Sequence, residues 1–515
     1  MNERHVRMGR VSLCGAGPGD PELITERALR RLREADVVLY DALVHPDLIG
    51  HARPGAELVF VGKRAGRASE RQATINARLV AEAKLGRKVV RLKGGDPFLF
   101  GRGSEEAEAL ARHGVPFEVV PGVASPMAAS AYTGISLTHR DLASSVAYVT
   151  ATESPEKDVT THDWTKLATA TQTLVFFMGL RKLDSLMSLL MEHGRAGDTP
   201  AAVVSSASLA SQRTVVGTVA TIAELAKSAE LAMPALTIVG SVVSLREHLR
   251  WFDTLPLFGK RVLVTRPEGQ AADMARALRD AGAEPIEVPT VRIMPAPDAS
   301  LLRDAARHAS HYDWVVFTSV NGVRAFFDAL DAEGLDARAF GHARVSAIGP
   351  ATSAALSVRG IRADLMPAEY RGEAVAEAIL ERSGNTPPRR VLLPRAEVAR
   401  DALPKILQAA GAKVDVVAAY RTEAALPAAF DAVRERLRAR ALDVITFTSP
   451  STVERLVAGL GEDALPLLST PCIAAIGPIT ADAVRALGLS AQVIASEYTA
   501  EGLIDALIHH FAKKR

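Results

Sequence analysis

The sequence predicts two α/β units joined end to end, the first closing near residue 252 and the second opening near 261. Three observations predict it. The chain has 515 residues, too long for one core when domains hold about 100–200. Short apolar runs alternate with helical patterns through the first half, the signature of a mostly parallel sheet. The second half repeats itself with a period of about 130 residues, too long for a solenoid and suited to two similar lobes.

In the first half, Val11–Cys14 reads as a strand ending in the turn GAGPGD, followed by a helix over Glu22–Glu34 and a strand over Asp36–Tyr40. A helix over Asn76–Leu85 precedes the strand Lys88–Leu92 and the turn KGGD. The helix Ser104–His113, the strand Phe117–Val120 and the small-residue helix Ala124–Thr133 follow. A polar connector over Thr152–Asp163 predicts two subdomains, about 9–150 and 164–252. The second has strands at Thr173–Met178, Ala201–Val204, Arg213–Thr218 and Ala235–Val239. Residues 253–260 read as a linker.

From 261 onward, WVVFTSVNGVRAF (from Trp314) echoes VITFTSPSTVERL (from Val444), and VSAIGPATSAAL (from Val345) echoes IAAIGPITADAV (from Ile473). The segment from Val262 echoes that from Val391. Two α/β lobes therefore fill 261–515, with the chain crossing between them near 290 and 421, and a cleft between lobes is a favoured ligand site.

Composition excludes several classes. Apolar residues make up 48% and charged residues 23%, as in ordinary globular protein. Lys plus Arg number 61 against 59 Asp plus Glu, so no overall basic field exists for nucleic acid. Cys14 and Cys472 each sit in an apolar run and read as buried thiols. The charged N-terminus lacks a signal-peptide core, and no run of about 18 apolar residues suits a membrane span. A cytoplasmic protein is expected, without membrane or nucleic-acid partners.

The chemistry of the first half gathers at two glycine-rich strand ends. In GAGPGD, Gly15, Gly17 and Gly19 permit close backbone approach while Pro18 stiffens the turn. Pro18 falls inside the spacing that a dinucleotide fingerprint requires, so that motif is absent. In GRKVVRLKGGDPFLFGRG (from Gly86), Gly94 and Gly95 expose backbone, Asp96 supplies a carboxylate and Phe98–Phe100 form an apolar wall. A tight structural turn is the alternative for either alone.

These segments, with VLYDALV, VGKRAG, AYTGISLTHRD and VFFMGL, closely resemble uroporphyrinogen-III C-methyltransferases, members of the tetrapyrrole methylases, over residues 9–252. The resemblance implies a two-subdomain tetrapyrrole methylase fold. It implies S-adenosyl-L-methionine as methyl donor, two methylations of uroporphyrinogen III to precorrin-2, and a homodimer through this half. It implies cofactor contacts at Pro18, Gly94, Gly95, Asp96, Leu99, Ala124, Ser125, Met178 and Ala207. Ala124 and Ser125 stand where the family often has Thr or Ser then Ala, and Ser206 and Ala207 where it often has Asn-Gly. Asp41 is implied as proton acceptor and Lys63 as proton donor. As bare residue types, Asp41 also suits a turn or helix cap, and Lys63 a solvated charge. The substrate carries eight carboxylates, so Arg64, Arg67, His139 and Arg140 are candidate charge partners. A sulfonium methyl is already activated, so no metal is required; alignment and proton handling remain for the protein.

After residue 258, FTS and IGP recur at strand ends, each before a helical pattern, where hydroxyls and free N–H groups suit anions. The candidates are Thr318, Ser319, Asn321, Thr448, Ser449, Ser451 and Thr480, with Arg266 and Arg395 after strands. Helix capping is the alternative for each singly. TRPEGQ, VVFTSVNGVRAF, SAIGPAT, AAYRTE, FTSPSTV and AAIGPIT resemble uroporphyrinogen-III synthases. That resemblance implies a two-lobed, cofactor-free enzyme cyclising hydroxymethylbilane with loss of water and inversion of ring D, so that its product is the first half's substrate. Tyr420, in AAYRTE, is the candidate acid, and a hinge aromatic is the alternative. A C-terminal half that only binds or senses tetrapyrroles is the competing function.

Overall fold

The computed structural model describes residues 8–62, 71–151, 162–266, 271–288, 291–384, 387–399, 401–424 and 427–513. They form two compact units, one running to Lys260 and including Leu278–Glu284, the other comprising Arg261–Ala277 and Pro285–Arg515.

The first unit holds two five-stranded sheets. One contains β1 (Arg10–Gly15), β2 (Val37–Tyr40), β3 (Glu57–Phe60), β4 (Lys88–Lys93) and β5 (Phe117–Val120) in the order β3-β2-β4-β1-β5. All pairs are parallel. Runs such as VSLC and VVLY suit strands covered on both faces: Val11, Leu13, Val37, Val38 and Leu39 are fully buried. The helix Glu26–Glu34 covers one face through Ala28 and Leu32, and Thr25 starts it by accepting the Ala28 N–H at 3.3 Å. Residues 21–23 form a separate 3-10 turn, because Pro21 at its start and extended Ile24 and Thr25 interrupt the helix expected from residue 22. The chain leaves β1 toward β2 on one side and leaves β4 toward β5 on the other. The winding direction thus reverses between adjacent β1 and β4, which opens a crevice at their carboxyl ends.

Glu118 of β5 ties this sheet to its helix, accepting from Ser12 Oγ at 2.8 Å and from the Arg31 guanidinium. Burial works to raise the Glu118 carboxyl, but the Arg31 and Ser12 hydrogen bonds outweigh it and hold it below the ordinary 4.5. A depressed carboxylate contributes stability that is present above its unfolded value and lost as the pH falls. Glu118→Gln is expected to cost about 2 kcal/mol at neutral pH. Urea titrations at several pH values should show that difference shrinking below 4.5; a pH-independent difference would contradict this assignment.

The second sheet contains β6 (Val146–Thr150), β7 (Thr173–Phe177), β8 (Pro200–Ser205), β9 (Arg213–Thr218) and β10 (Ala235–Val239), ordered β6-β7-β10-β8-β9. Two features differ from the sequence reading. β6 precedes the polar connector yet pairs with β7 from Val146↔Thr173, so the first subdomain ends before residue 146. Only that pair is parallel; β7–β10, β10–β8 and β8–β9 are antiparallel. No helix separates β8 from β9, and a short connection of that kind returns the chain antiparallel. Residues 253–260 are packed rather than a free linker: Leu257 is buried, and the Phe258 ring meets Phe252 edge-on at 5.3 Å.

The second unit also holds two sheets. One comprises β11 (Arg261–Val264), β12 (Glu284–Glu287), β18 (Val444–Phe447), β19 (Cys472–Ala475) and β20 (Val493–Ile494), ordered β12-β11-β18-β19-β20. The other comprises β13 (Val291–Pro295), β14 (Trp314–Phe317), β15 (Arg344–Ala347), β16 (Arg390–Ala396) and β17 (Lys413–Ala424), ordered β13-β17-β16-β14-β15. The chain therefore passes to the second sheet between Glu287 and Val291 and returns after Ala424. β13 pairs antiparallel with the end of β17, setting Pro295 opposite Tyr420. Phe317 and Phe326 fill the core on one face of this sheet and Trp314 packs on the other, while Phe447 lies in the core of the unit's first sheet. No helix among the described residues is long and apolar enough to cross a membrane.

Candidate active site

In the first unit a cavity of about 650 Å³ opens where strand ends of both sheets converge. Its walls come from the turns after β1, β2 and β4, the start of the helix Ser125–Thr133, and the turns after β7 and β8. Pro18, Gly94, Gly95, Asp96, Leu99, Ala124, Ser125, Met178 and Ala207 all line it, as does Asp41.

Two glycine-rich turns form one rim. Gly17 N–H donates to Gly95 O at 3.3 Å, and Gly95 N–H returns to Gly17 O at 2.6 Å. Gly17 and Gly95 have φ of 82° and 69°, conformations that glycine adopts without strain. Asp96 works within the turn itself: Oδ1 accepts from Phe98 N at 2.8 Å and Oδ2 from Gly122 N at 3.0 Å. Its carboxylate thereby fixes two loops against each other. Strain concentrates at the same place. Among the described residues, seven non-glycines have positive φ, and Phe100, Arg102, Met178 and Ser206 of these line the cavity. Such conformations persist where surrounding structure over-determines them and cluster at ligand sites. Periodicity and motif spacing carry no sign of them.

Asp41 follows β2. Its Oδ1 accepts from Leu43 N at 3.1 Å and its Oδ2 lies 3.4 Å from Arg91 Nη2, so the carboxylate shapes a turn and faces the cavity at once. Behind it lies a group of charges that the sequence reading did not single out. Arg91 and Lys93 of β4 are 4% and 3% exposed, and Glu106 of the helix Gly103–Arg112 is 0% exposed. Glu106 Oε1 accepts from Lys93 Nζ at 2.9 Å, Arg91 Nε at 3.1 Å and Gln72 Nε2 at 3.1 Å. Burial, and then the Arg91 charge, lower the Lys93 ammonium below its ordinary 10.5, with Glu106 opposing. The signal available in the sequence was two charges two residues apart in the central strand KVVRLK, where alternation puts both on one face.

Lys63, Arg64 and Arg67 lie outside the described residues. His139 and Arg140 are not among the cavity lining. His139 instead closes a small turn, pairing with Ala143 in both directions while Nδ1 accepts the Asp141 N–H.

In the second unit a cavity of about 590 Å³ is lined by β13, the helices Ala299–Arg307 and Val320–Ala332, and the end of β17. It gathers Tyr420 and Asn321 with three arginines that the sequence reading did not single out, Arg292, Arg303 and Arg324, the last of them inside VVFTSVNGVRAF. Tyr420 is 8% exposed and packs in the core, its hydroxyl 3.0 Å from Ser319 Oγ. Ser319 Oγ also accepts from Gly322 N and so starts a helix. Thr318, Thr448, Ser449, Arg266 and Arg395 follow or end their strands but do not line this cavity. Ser449 Oγ lies 3.0 Å from Ser451 Oγ, and Arg395 Nη2 donates to Asp401 at 2.6 Å. Burial lowers the Arg266 guanidinium, with Glu501 and Asp273 opposing. Thr480 is 4% exposed inside the helix Pro478–Ala486, so it offers little surface to a ligand.

Residues 10–223 match the family model for tetrapyrrole (corrin/porphyrin) methylases, and residues 272–505 that for uroporphyrinogen-III synthase HemD. A porphyrin biosynthesis protein HemD of Ruminiclostridium josui is 39% identical over 502 residues, 97% of this chain and 98% of that one. The chain belongs to the fused tetrapyrrole methylase and uroporphyrinogen-III synthase family. A uroporphyrinogen-III C-methyltransferase of Bacillus subtilis (strain 168) is 39% identical over 355 residues, 69% of this chain and 72% of that one. A siroheme synthase of Pseudomonas fluorescens (strain Pf0-1) is 51% identical over 252 residues, covering 49% of this chain and 54% of that one. This chain thus spans about half the length of that siroheme synthase. Within this family it is a bifunctional enzyme of tetrapyrrole biosynthesis, with a methyltransferase half and a synthase half.

Proposed function

We propose that the C-terminal half cyclises hydroxymethylbilane to uroporphyrinogen III and that the N-terminal half methylates this product twice to precorrin-2. The observation that carries the methylation reading is the single cavity joining Asp41 to the glycine-rich rim. S-adenosyl-L-methionine, when bound, supplies a methyl already activated on a sulfonium. The lining suits such a group: Gly94 and Gly95 leave backbone open, while Leu99, Phe100 and Met178 offer apolar walls. A Cβ at Gly94 would come within 2.6 Å of the Leu43 Cβ, so that wall admits no side chain.

Asp41 is the proton acceptor. As the pyrrole carbon gains the methyl group, the ring nitrogen's electron pair is drawn in, and a carbon-bound proton must then leave to restore neutrality. An ionised carboxylate at the cavity wall takes it. The chain holds a homodimer through its N-terminal half in this reading, which mass measurement in solution checks.

In the synthase half, loss of water from the hydroxymethyl carbon requires a proton on the departing oxygen while the pyrrole nitrogen pushes. Tyr420, touching the 590 Å³ cavity with its hydroxyl against Ser319, supplies it. No resident cofactor takes part in this step. Arg292, Arg303 and Arg324 are charge partners for the bilane carboxylates. Tyr420→Phe is expected to slow enzymatic cyclisation about 100-fold with the fold retained. Unchanged cyclisation would leave Tyr420 as a packing residue.

The methylation reading is tested with authentic uroporphyrinogen III and methyl-labelled S-adenosyl-L-methionine. Two labelled methyl groups per macrocycle support it; an unmethylated macrocycle sinks it.

A further inference from the structure

The buried charges behind Asp41 do more than satisfy one another. We propose that Glu106 is a positioning residue for methyl transfer, the anion that anchors Arg91 so that its guanidinium holds Asp41 at the cavity wall. The inference rests on the reading of Asp41 as proton acceptor.

The geometry gives each nitrogen of Arg91 a separate task. Nε donates to Glu106 Oε1 at 3.1 Å, Nη1 to the Leu92 carbonyl at 3.0 Å, and Nη2 reaches Asp41 Oδ2 at 3.4 Å. A guanidinium is planar and rigid, so fixing Nε and Nη1 fixes the direction of Nη2. Glu106 is the charged end of that clamp. It also draws Lys93 Nζ to 2.9 Å, which keeps the second cation from competing for Asp41. Arg91, Lys93 and Gln72 all line the cavity, while Glu106 itself does not. The anion therefore acts through its neighbours rather than by touching a ligand.

Charge balance supports the assignment. Isolated buried charges are costly, and pairs survive when geometry and extra hydrogen bonds compensate. Among the described residues, the ion pairs of this region join Asp41 after β2, Arg91 and Lys93 on β4, and Arg102, Glu105 and Glu106 at the next helix, while His45 and Asp96 also line the cavity. Arg102 and Glu105 are exposed and pair with each other at 2.7 Å. The inner set is thus two anions and two cations. Removing Glu106 leaves both cations directed at Asp41 alone.

The test is Glu106→Gln in the full chain, assayed with uroporphyrinogen III and S-adenosyl-L-methionine across pH. A misplaced acceptor costs turnover rather than binding, so kcat is expected to fall roughly 10- to 100-fold. KM for both substrates and affinity for S-adenosylhomocysteine are expected to stay within about threefold. Lys93, without its counter-anion, loses its proton at lower pH, so the alkaline limb of the kcat profile moves toward lower pH. Should that variant not fold, K93M/E106Q keeps the buried charge balanced, and a lowered kcat with wild-type KM is the expected result. A wild-type kcat in the variant that folds overturns the inference, as does an unmoved alkaline limb in folded E106Q. If the unmodified enzyme transfers no methyl group, it is the underlying reading that fails.

Discussion

Asp41→Asn is expected to abolish most methyl transfer while leaving the cavity intact. Asparagine has nearly the same volume, and its side-chain oxygen can still accept the Leu43 N–H that aspartate accepts at 3.1 Å. The turn after β2 therefore survives. What disappears is the charge facing Arg91 and the capacity to take a proton. General-base contributions of this kind are worth about 100- to 10,000-fold in kcat. Affinity for S-adenosylhomocysteine, measured calorimetrically, should remain within about threefold, because that binding does not need the base. A kcat within about tenfold of wild type would reduce Asp41 to the turn residue that its Leu43 contact also allows.

Gly122→Ala should be nearly as damaging by a different route. A Cβ at Gly122 would lie 2.3 Å from Gly95 O and 2.7 Å from Gly15 Cα, all backbone that no rotamer can move. Gly15 shows the reciprocal conflict, at 2.5 Å from Gly122 Cα and 2.6 Å from Gly95 O. Three strand-end turns meet here, and one methyl group pushes them apart. Overpacking at such a point costs about 3 kcal/mol. The Asp96 bond to Gly122 N–H would break with it. The expected outcome is a lower unfolding midpoint for the first unit and a loss of S-adenosylhomocysteine binding of about 100-fold or more. Cyclisation by the other unit should persist. Wild-type binding in the alanine variant would mean that the rim tolerates separation.

Much of this arrangement was legible in the sequence because its signals are local. Glycines at the ends of β1 and β4, and the proline inside GAGPGD, announce close backbone approach without any knowledge of the fold. The turn after β2 placed Asp41 similarly. Features that depend on distant partners were not legible. Arg91 and Lys93 read as charges in a strand until Glu106, from the following helix, closes the network. β6 belongs to the second sheet only because Thr173 and its neighbours pair with it, a choice that lies beyond the polar connector. In the second unit the repeated FTS and IGP segments specify strand-to-helix turns, and Ser319 does cap a helix. Those motifs carry no information on exposure, so Thr480 falls in the interior; of the cavity arginines, Arg292 and Arg303 come from elements without any motif, and Arg324 sits unmarked near the end of one. Backbone strain at Phe100, Arg102, Met178 and Ser206 has no sequence mark, since glycine would normally occupy such positions.

In the proposed function one chain both makes uroporphyrinogen III and methylates it. Hydroxymethylbilane supplied to the purified chain, with and without S-adenosyl-L-methionine, tests it most directly, with products resolved by isomer and methyl content. The expected products are uroporphyrinogen III without the donor and precorrin-2 with it. Uroporphyrinogen I alone, the product of spontaneous closure, in both reactions would contradict it.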